Sequence, residues 1–224
     1  MKTFFCIFFL SVFQIVSAQN NENDFYRWLY DSDASVPIVR INVVDSLLPA
    51  DKETYLDATI SIEGNGVIPS VSNLPVSIKG RGNSSWKKKP EAKNPYRLKF
   101  PKKQNLLGEG KGKNWVLLAN NRRGSMLTNA IAQYLAYLVG IPFVNHIVPV
   151  ELYMNGIYWG SYNLTEKVGI SSNSIKLRNE ERAVLLELDS YFDADEKFVS
   201  HPYQLPVNNT PDFSDQCISQ IKNY

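Results

Sequence analysis

Two apolar runs joined by an Asn-Gly pair constrain the fold of this chain more than any other feature. Residues 147–154 (IVPVELYM) and 157–164 (IYWGSYNL) each have the length of a strand, and Asn155-Gly156 separates them. Asn-Gly favours the left-handed backbone of a tight two-residue turn, which joins antiparallel neighbours. The sequence therefore predicts a β-hairpin here, and with it an antiparallel sheet.

Six further segments have the length and the apolar, β-branched or aromatic content of strands. They are residues 37–44, 59–62, 74–79, 96–100, 114–120 and 183–188. Gly64-Asn65-Gly66 predicts a tight turn after the second of them. Strands are therefore expected to dominate the fold.

One segment, residues 125–139, has the periodicity of a helix. Its apolar residues recur at steps of three and four, which gives the segment one apolar face. Gly140 and Pro142 are expected to end the helix, and Ser125 or Gly124 to cap its start. The order of elements predicts one α+β domain, mainly antiparallel β with one main helix. The residues of the apolar face are Met126, Leu127, Ala130, Ile131, Tyr134, Leu135 and Leu138.

The positive charge of the chain is concentrated in residues 79–113. The formal net charge is only +2, yet half of the 24 Lys and Arg residues lie in this stretch, whereas residues 180–215 are acidic. Gly80 and Gly82 allow positive φ and a close approach of backbone N–H groups to a ligand, and Ser84 and Ser85 add donors. This loop is expected to bind an anion such as a polyphosphate, although a solvated basic hairpin is the plain alternative.

Several ordered blocks of the sequence resemble one protein family. Residues 81–86 (RGNSSW), followed by 96–100 (YRLKF), closely resemble the signature of the CotH family of secreted and spore-coat kinases. The resemblance continues through 114–120 (NWVLLAN), 155–166 (NGIYWGSYNLTE) and 185–189 (LLELD), and covers roughly residues 35–215. It implies the N-terminal lobe and hinge region of an atypical protein-kinase-like fold.

The resemblance also implies ATP with Mg²⁺ or Mn²⁺ as cofactor, and Ser or Thr hydroxyls of a secreted or surface protein as acceptors. Residues 81–86 would cover the phosphates, and Lys99 would reach them, with Arg97 as its rival on the same face of the strand. Glu166 would contact the adenine, the ribose or the metal, or would instead pair with Lys167 or Arg97. The residues assigned to nucleotide binding are Arg81, Gly82, Asn83, Ser84, Ser85, Arg97, Lys99 and Glu166.

The sequence departs from the family pattern in its acids. Family members continue into a second lobe that carries a catalytic and a metal-binding aspartate, and neither is found here. Asp189, Asp193 and Asp195, with Glu187, resemble a calcium-binding cluster in their alternating spacing. Tyr191, Phe192 and Ala194 interrupt the cluster and no glycine lies at the required bend, so these acids indicate a solvated acidic turn. No acid lies in 125–139 to pair with Lys99. We therefore predict no catalytic or metal-binding residue, a domain truncated before its catalytic lobe, and inactivity of these residues alone.

A different class of function also fits the sequence. The basic loop with Trp86, Trp115 and Trp159 could form a non-catalytic surface module that binds an anionic polysaccharide or a protein partner. Nucleic acid is not expected as a partner, because the basic residues form no long stripe. His146 and His201 are the only histidines, and neither has a second metal ligand nearby in sequence, so a zinc site is not predicted.

The first residues have the pattern of a secretory signal. Lys2 precedes an apolar stretch at 4–16, and small residues at 16–18 precede Gln19. The predicted organisation is a signal peptide at 1–18, a polar tether at 19–35 and the CotH-like domain at 36–224. The chain is expected to be secreted or exported to the periplasm or cell surface, without a stable membrane span after cleavage.

Overall fold

Seven strands form a closed barrel within the residues that the computed structural model describes, namely 25–29, 31, 33–121, 126–177, 185–188, 197–199 and 206–209. The strands lie at the outside of one apolar core and carry all the candidate site residues on or beside them. They are β1 (Ile38–Val43), β2 (Leu56–Glu63), β3 (Val71–Gly80), β4 (Tyr96–Gln104), β5 (Gly112–Leu118), β6 (Ile147–Met154) and β7 (Ile157–Glu166).

The barrel closes through one parallel pair of strands. The order around the barrel is β1-β2-β3-β4-β5-β7-β6, and each of these neighbouring pairs is antiparallel. Because the direction alternates at every step, an odd number of strands leaves the first and last running the same way. β6 accordingly pairs with β1 in parallel, with Val39 opposite Leu152.

The interior of the barrel is filled by alternate residues of every strand. β1 shows the pattern most simply, since Val39, Ile41 and Val43 are buried while Arg40 and Asn42 do not enter the core. The largest side chains in the interior are Trp115, Tyr96, Tyr162 and Phe100. Irregular pairing at Ile60/Ile62 and at Leu152/Tyr153 supplies local bends of the kind that help a sheet to close.

The predicted fold class was wrong. The strands at 37–44, 59–62, 74–79, 96–100, 114–120 and in the 147–164 hairpin are all present, but they form a closed barrel and not the α+β N-terminal lobe and hinge region of a kinase-like fold. The described residues include one α-helix and no separate kinase-like lobe. Period-two patterning identifies strands one at a time, whereas closure depends on β1 meeting β6, which no local pattern specifies.

Besides a one-turn 3-10 helix after β1, Val44–Ser46, two helical segments contact the outside of the barrel. A 3-10 helix, Phe25–Leu29, falls within the predicted tether, and its Tyr26 is buried and donates a hydrogen bond to the carbonyl of Asn145 at 3.0 Å. The helix α1 (Thr128–Leu138) contacts the barrel beside β6, and Ala130 is its buried residue. None of the described helices is long and apolar enough to cross a membrane.

The helix was predicted correctly, but most of its apolar face is exposed. Ile131 and Leu135 have 46% and 54% of their surface accessible to solvent. Gly140 ends the helix with a φ of 73°, as expected from its position. Ser125 and Gly124, the predicted caps, lie outside the described residues, as do the signal at 1–18 and the acidic turn at 189–196.

A small second sheet involves the end of the described chain. β8 (Leu186–Leu188) and β9 (Lys197–Val199) both pair antiparallel with β10 (Pro206–Asn209), which lies between them. β8 covers the second half of the strand predicted at 183–188, and that part of the prediction is confirmed. The three strands form a sheet of their own, apart from the hydrogen bonding of the barrel.

Asn155 connects the hairpin turn to the closure of the barrel. Its φ is 52°, the left-handed conformation expected of an Asn-Gly turn. Its side-chain oxygen accepts a hydrogen bond from Val43 N at 2.8 Å, and its side-chain nitrogen donates to the Leu47 carbonyl at 3.1 Å. Its own N–H donates to the Ile41 carbonyl at 2.8 Å. The turn after β6 is thereby fixed to the end of β1.

Asn155→Ala is expected to lower the free energy of unfolding by about 2 kcal/mol, because it removes two hydrogen bonds and places an alanine at positive φ. Urea titration followed by tryptophan fluorescence would measure the change. Asn155→Gly is the control that relieves the backbone but removes the same bonds, and should lose about half as much. An Asn155→Ala protein as stable as the unchanged chain would contradict this role.

Candidate functional site

The loop between β3 and β4 is a compact turn that begins at Arg81. Arg81 N donates to the Pro95 carbonyl at 3.1 Å, which brings the two ends of the loop together. Gly82 has a φ of 91°, and a Cβ there would collide with Ser85 Oγ. Gly80 does not adopt positive φ, although the sequence indicated that a glycine here would allow it. Its missing side chain instead leaves room for the Trp86 ring.

Two asparagine side chains hold this loop in shape. Asn94 is fully buried, accepts a hydrogen bond from Lys87 N at 2.7 Å and donates to the Lys89 carbonyl at 2.9 Å. Asn121, which follows β5, donates to the carbonyls of Ser85 and Lys93, both at 2.9 Å. The loop is therefore tied internally by Asn94 and to the rest of the molecule by Asn121.

Lys93 fastens the loop to the barrel. Its Nζ donates to the Ser161 carbonyl at 2.7 Å and lies 5.1 Å from the centre of the Tyr162 ring. Burial lowers the pKa of Lys93, while the negative charge of Glu151 acts in the opposite direction. Lys93 therefore has a structural role in holding the loop against β7, whereas the lysines at 87–89 are exposed.

A cavity of about 280 Å³ lies between this loop and the start of α1. Arg81 and Ser85 contribute to one side, and the residues that follow β5 to another. Thr128 and Asn129, in the first turn of α1, complete the lining, so the positive end of the helix dipole is near the cavity. The polar residues that line it are Arg81, Ser85, Asn120, Asn121, Thr128 and Asn129.

Arg81 and Arg97 give this face of the barrel a positive charge that forms no ion pair with a carboxylate of the described residues. Burial, and secondarily the charge of Arg97, lower the pKa of Arg81. Arg97 Nη2 donates to Asn114 Oδ1 at 3.1 Å, but its buried Nε has no acceptor among the described residues. The ion pairs found in the described part of the chain involve neither arginine. An anion bound beside Arg81 would therefore be attracted by the charge of both arginines.

The structure brings some of the predicted residues together. Arg81 and Ser85 line the cavity, Gly82 shapes the turn between them, and Asn83 and Ser84 are exposed. Arg97 lies on the outer face of β4, next to the inward-facing Leu98. The five residues at 81–85 therefore belong to one turn. Arg97 lies outside that turn and is linked to it by its electrostatic effect on Arg81.

Lys99 is placed differently from the turn residues. It shares the outer face of β4 with Arg97, as predicted, since both alternate with the buried Leu98 and Phe100. Its Nζ is 5.7 Å from the centre of the Tyr55 ring, and Lys79 Nζ is 4.8 Å from the same centre. Lys99 does not line the cavity beside Arg81, and lies instead by a separate depression near Tyr55.

Glu166 is separated from the basic turn by the sheet itself. It is paired with Trp115 across β5 and β7, and therefore lies on the face opposite to that of Arg97. It is buried, and its Oε1 is 2.8 Å from His146 Nδ1. The sequence left open a pairing with Lys167 or Arg97, and the partner that the structure shows is His146.

The three tryptophans of the alternative surface module, Trp86, Trp115 and Trp159, do not form one binding surface. Trp115 is fully buried inside the barrel, and Trp86 packs over Gly80. Trp159 is half-buried and packs against the core. Because these rings face different environments, they cannot offer a polysaccharide one continuous stacking surface with the basic loop. The described residues also contain no group of three His, Cys, Asp or Glu side chains that could hold a metal ion.

Sequence reasoning missed Asn94, Asn121 and the first turn of α1 as parts of the site. Asn94 lies between a lysine-rich turn and Pro95. Asparagine is common in such turns, so nothing in the sequence indicated that its side chain would be buried. Asn121 lies in the polar cluster after β5, and only the tertiary structure brings it to Ser85. The helix start could be predicted, but not its position beside the loop.

Asn94→Ala is expected to loosen the loop, because it leaves a buried N–H and a carbonyl without partners. Trypsin should cleave after Lys87 and Lys88 several-fold faster than in the unchanged protein, and timed digestion with mass spectrometry would measure the rate. Asn94→Asp keeps the acceptor for Lys87 N and should give an intermediate rate. Equal cleavage rates in all three proteins would show that Asn94 does not hold the loop.

Comparison with protein families identifies one match. The family described as CotH kinase protein matches residues 76–216, which is more than half of the chain. The matched region begins within β3 and contains the basic loop, the two arginines, α1 and the β6–β7 hairpin. A search of curated proteins finds no match. On the extent of the family match, this chain belongs to the CotH kinase protein family.

Proposed function

We propose that the cavity beside Arg81 binds the phosphate groups of ATP, as the nucleotide-binding part of a kinase that transfers phosphoryl groups to Ser or Thr hydroxyls of a secreted or surface protein, and that these residues alone are inactive. The observation that carries the proposal is the pair of electrostatically coupled arginines, which have no carboxylate partner among the described residues; the buried Nε of Arg97 also lacks an acceptor there. Guanidinium groups are suited to phosphate because they offer several donors in a fixed plane.

The geometry fits phosphates better than a whole nucleotide. The cavity, at about 280 Å³, lies just below the usual range of small-molecule pockets, about 300–1,000 Å³. Ser85 and the first turn of α1 add neutral donors beside the charge of Arg81. In this arrangement the phosphates enter the cavity, while the ribose and the base lie outside it.

The described residues supply charge neutralisation and positioning. When bound, a divalent metal supplies further neutralisation of phosphate charge in phosphoryl transfer. No carboxylate lines the cavity in the described part of the chain, and no metal-binding cluster is found there. No metal ligand is therefore assigned among the described residues. Arg81 and Arg97 would neutralise the phosphate oxygens, and the tied loop would keep them in place.

Arg81→Ala and Arg97→Ala are each expected to weaken ATP binding roughly tenfold, because each removes a charge-assisted hydrogen bond to phosphate. Isothermal titration calorimetry of the full chain with ATP, with and without Mg²⁺, would measure the dissociation constants. Lys99→Ala should have a smaller effect, since Lys99 Nζ lies 5.7 Å from the centre of the Tyr55 ring and, unlike Arg97, is not among the charges that lower the pKa of Arg81.

Arg40→Ala is the matched control. Arg40 also lies on the outer face of the barrel, but it is exposed and paired with Glu63 at 3.0 Å on the far strands β1 and β2. Its removal takes away the same unit of charge and should leave ATP binding within about twofold, because exposed charges at this distance are screened by salt. If Arg81→Ala binds ATP as tightly as Arg40→Ala, the cavity is not the phosphate site.

We also propose that the chain is exported and that residues 1–18 are removed. The support is the sequence pattern of Lys2, the apolar stretch and the small residues before Gln19. N-terminal sequencing of the protein purified from a secreting host should begin at Gln19. A mature chain that still begins at Met1 would contradict this proposal.

A further inference from the structure

A second basic surface lies apart from the Arg81 cavity, in a cleft of about 470 Å³. One wall is the end of the β4–β5 hairpin, and the other is the segment that follows β7. Four lysines line it, and no aspartate or glutamate is found among its described lining residues. The four lysines are Lys103, Lys111, Lys113 and Lys167.

The two walls of this lysine cleft are held together by several contacts. Lys167 N donates to the Asn114 carbonyl at 3.2 Å, and Ser172 Oγ donates to the Lys111 carbonyl at 3.3 Å. Asn173 lies so close to Gly112 that a Cβ there would collide with the asparagine amide. The cleft is therefore a fixed feature of the fold, and its lysines are attached to a firm backbone.

The chemistry of the lining favours an acidic polypeptide as the occupant. Lysine ammonium groups are compact, mobile point charges, suited to carboxylates spaced along a flexible chain. No aromatic side chain is found among the described lining residues, so the cleft offers no surface on which a base or a sugar ring could stack. We propose that this lysine cleft is a docking site for an acidic segment of a partner protein.

The position of the cleft relates it to the phosphate site without merging the two. Asn114, which lines the cleft, accepts the hydrogen bond of Arg97. An acidic segment held by the lysines would thus lie beside the arginine proposed to contact ATP. The docking of the segment does not depend on nucleotide binding. A role for the segment in presenting the phosphoacceptor rests on the proposed function.

Each exposed contact between a lysine and a carboxylate is weak, because both groups remain largely hydrated. Several must form together, so binding is expected to be weak and to decline steeply as salt rises. The probe for the test is a fluorescein-labelled Glu/Ser peptide, with a Lys/Ser peptide of the same length for comparison. Fluorescence anisotropy with the full chain should show saturable binding of the acidic peptide alone.

The decisive variant is Lys111→Glu with Lys113→Glu, which should bind the Glu/Ser peptide at least roughly tenfold more weakly. Lys87→Glu with Lys88→Glu is the matched control, because it makes the same change in net charge at exposed positions outside the cleft. Lys111→Arg with Lys113→Arg retains the charge and should bind within about twofold of the unchanged chain. Urea titration of each variant checks that the fold is retained.

Three results would overturn the inference. The first is equal loss of peptide binding in the cleft variant and its matched control, and the second is no loss in either. The third is tighter binding of a sulfated oligosaccharide of equal charge than of the peptide. ATP titration of the Lys111→Glu, Lys113→Glu protein separates the two proposals, because its ATP affinity should match that of the Lys87→Glu, Lys88→Glu control.

Discussion

The parallel contact between β1 and β6 is the interaction on which the rest of the structure depends. Seven strands joined by antiparallel pairs must close with one parallel pair, and this pair joins parts of the chain that are distant in sequence. Closure gives every strand two neighbours and removes the free edges that an open sheet would expose. It also divides the molecule into an apolar interior and an outer face that is free to carry charge.

That division explains how the basic stretch can lie on a stable barrel. Along β4, Tyr96, Leu98 and Phe100 fill the interior, while Arg97 and Lys99 alternate with them on the outside. The loop before β4 places Arg81 at one end of this face, where the start of α1 approaches it. The lysines of the β4–β5 hairpin are grouped in a different cleft. Charge that is continuous in sequence is thus separated into two surfaces.

Much of the local structure could be predicted from the sequence, because it depends on local chemistry. Asn155-Gly156 determines its turn through positive φ, and the period of 125–139 identifies α1. The fold class could not be predicted in this way, since nothing near residues 37–44 indicates that this strand must pair with β6. The family resemblance led to the prediction of a kinase-like lobe, and the closed barrel contradicts that predicted fold.

The candidate site shows the same limit. Arg81, Ser85 and Arg97 were recognisable as a turn and an adjacent strand; Arg81 and Ser85 line one cavity, and the charge of Arg97 acts on Arg81. Glu166 was grouped with them because of its place in the sequence order, yet strand alternation puts it on the opposite face, beside His146. The contributions of Asn121 and of the first turn of α1 depend on tertiary contacts alone.

The central claim is that phosphate binds between the basic turn and the start of α1. Amide chemical-shift mapping by NMR during titration with ATP tests it most directly, since each backbone N–H reports on its own surroundings. The account predicts the largest changes at residues 81–85 and 126–129, with little change near Tyr55 or at Glu166. Changes centred on Tyr55 and Lys99, or on Glu166 and His146, would contradict it.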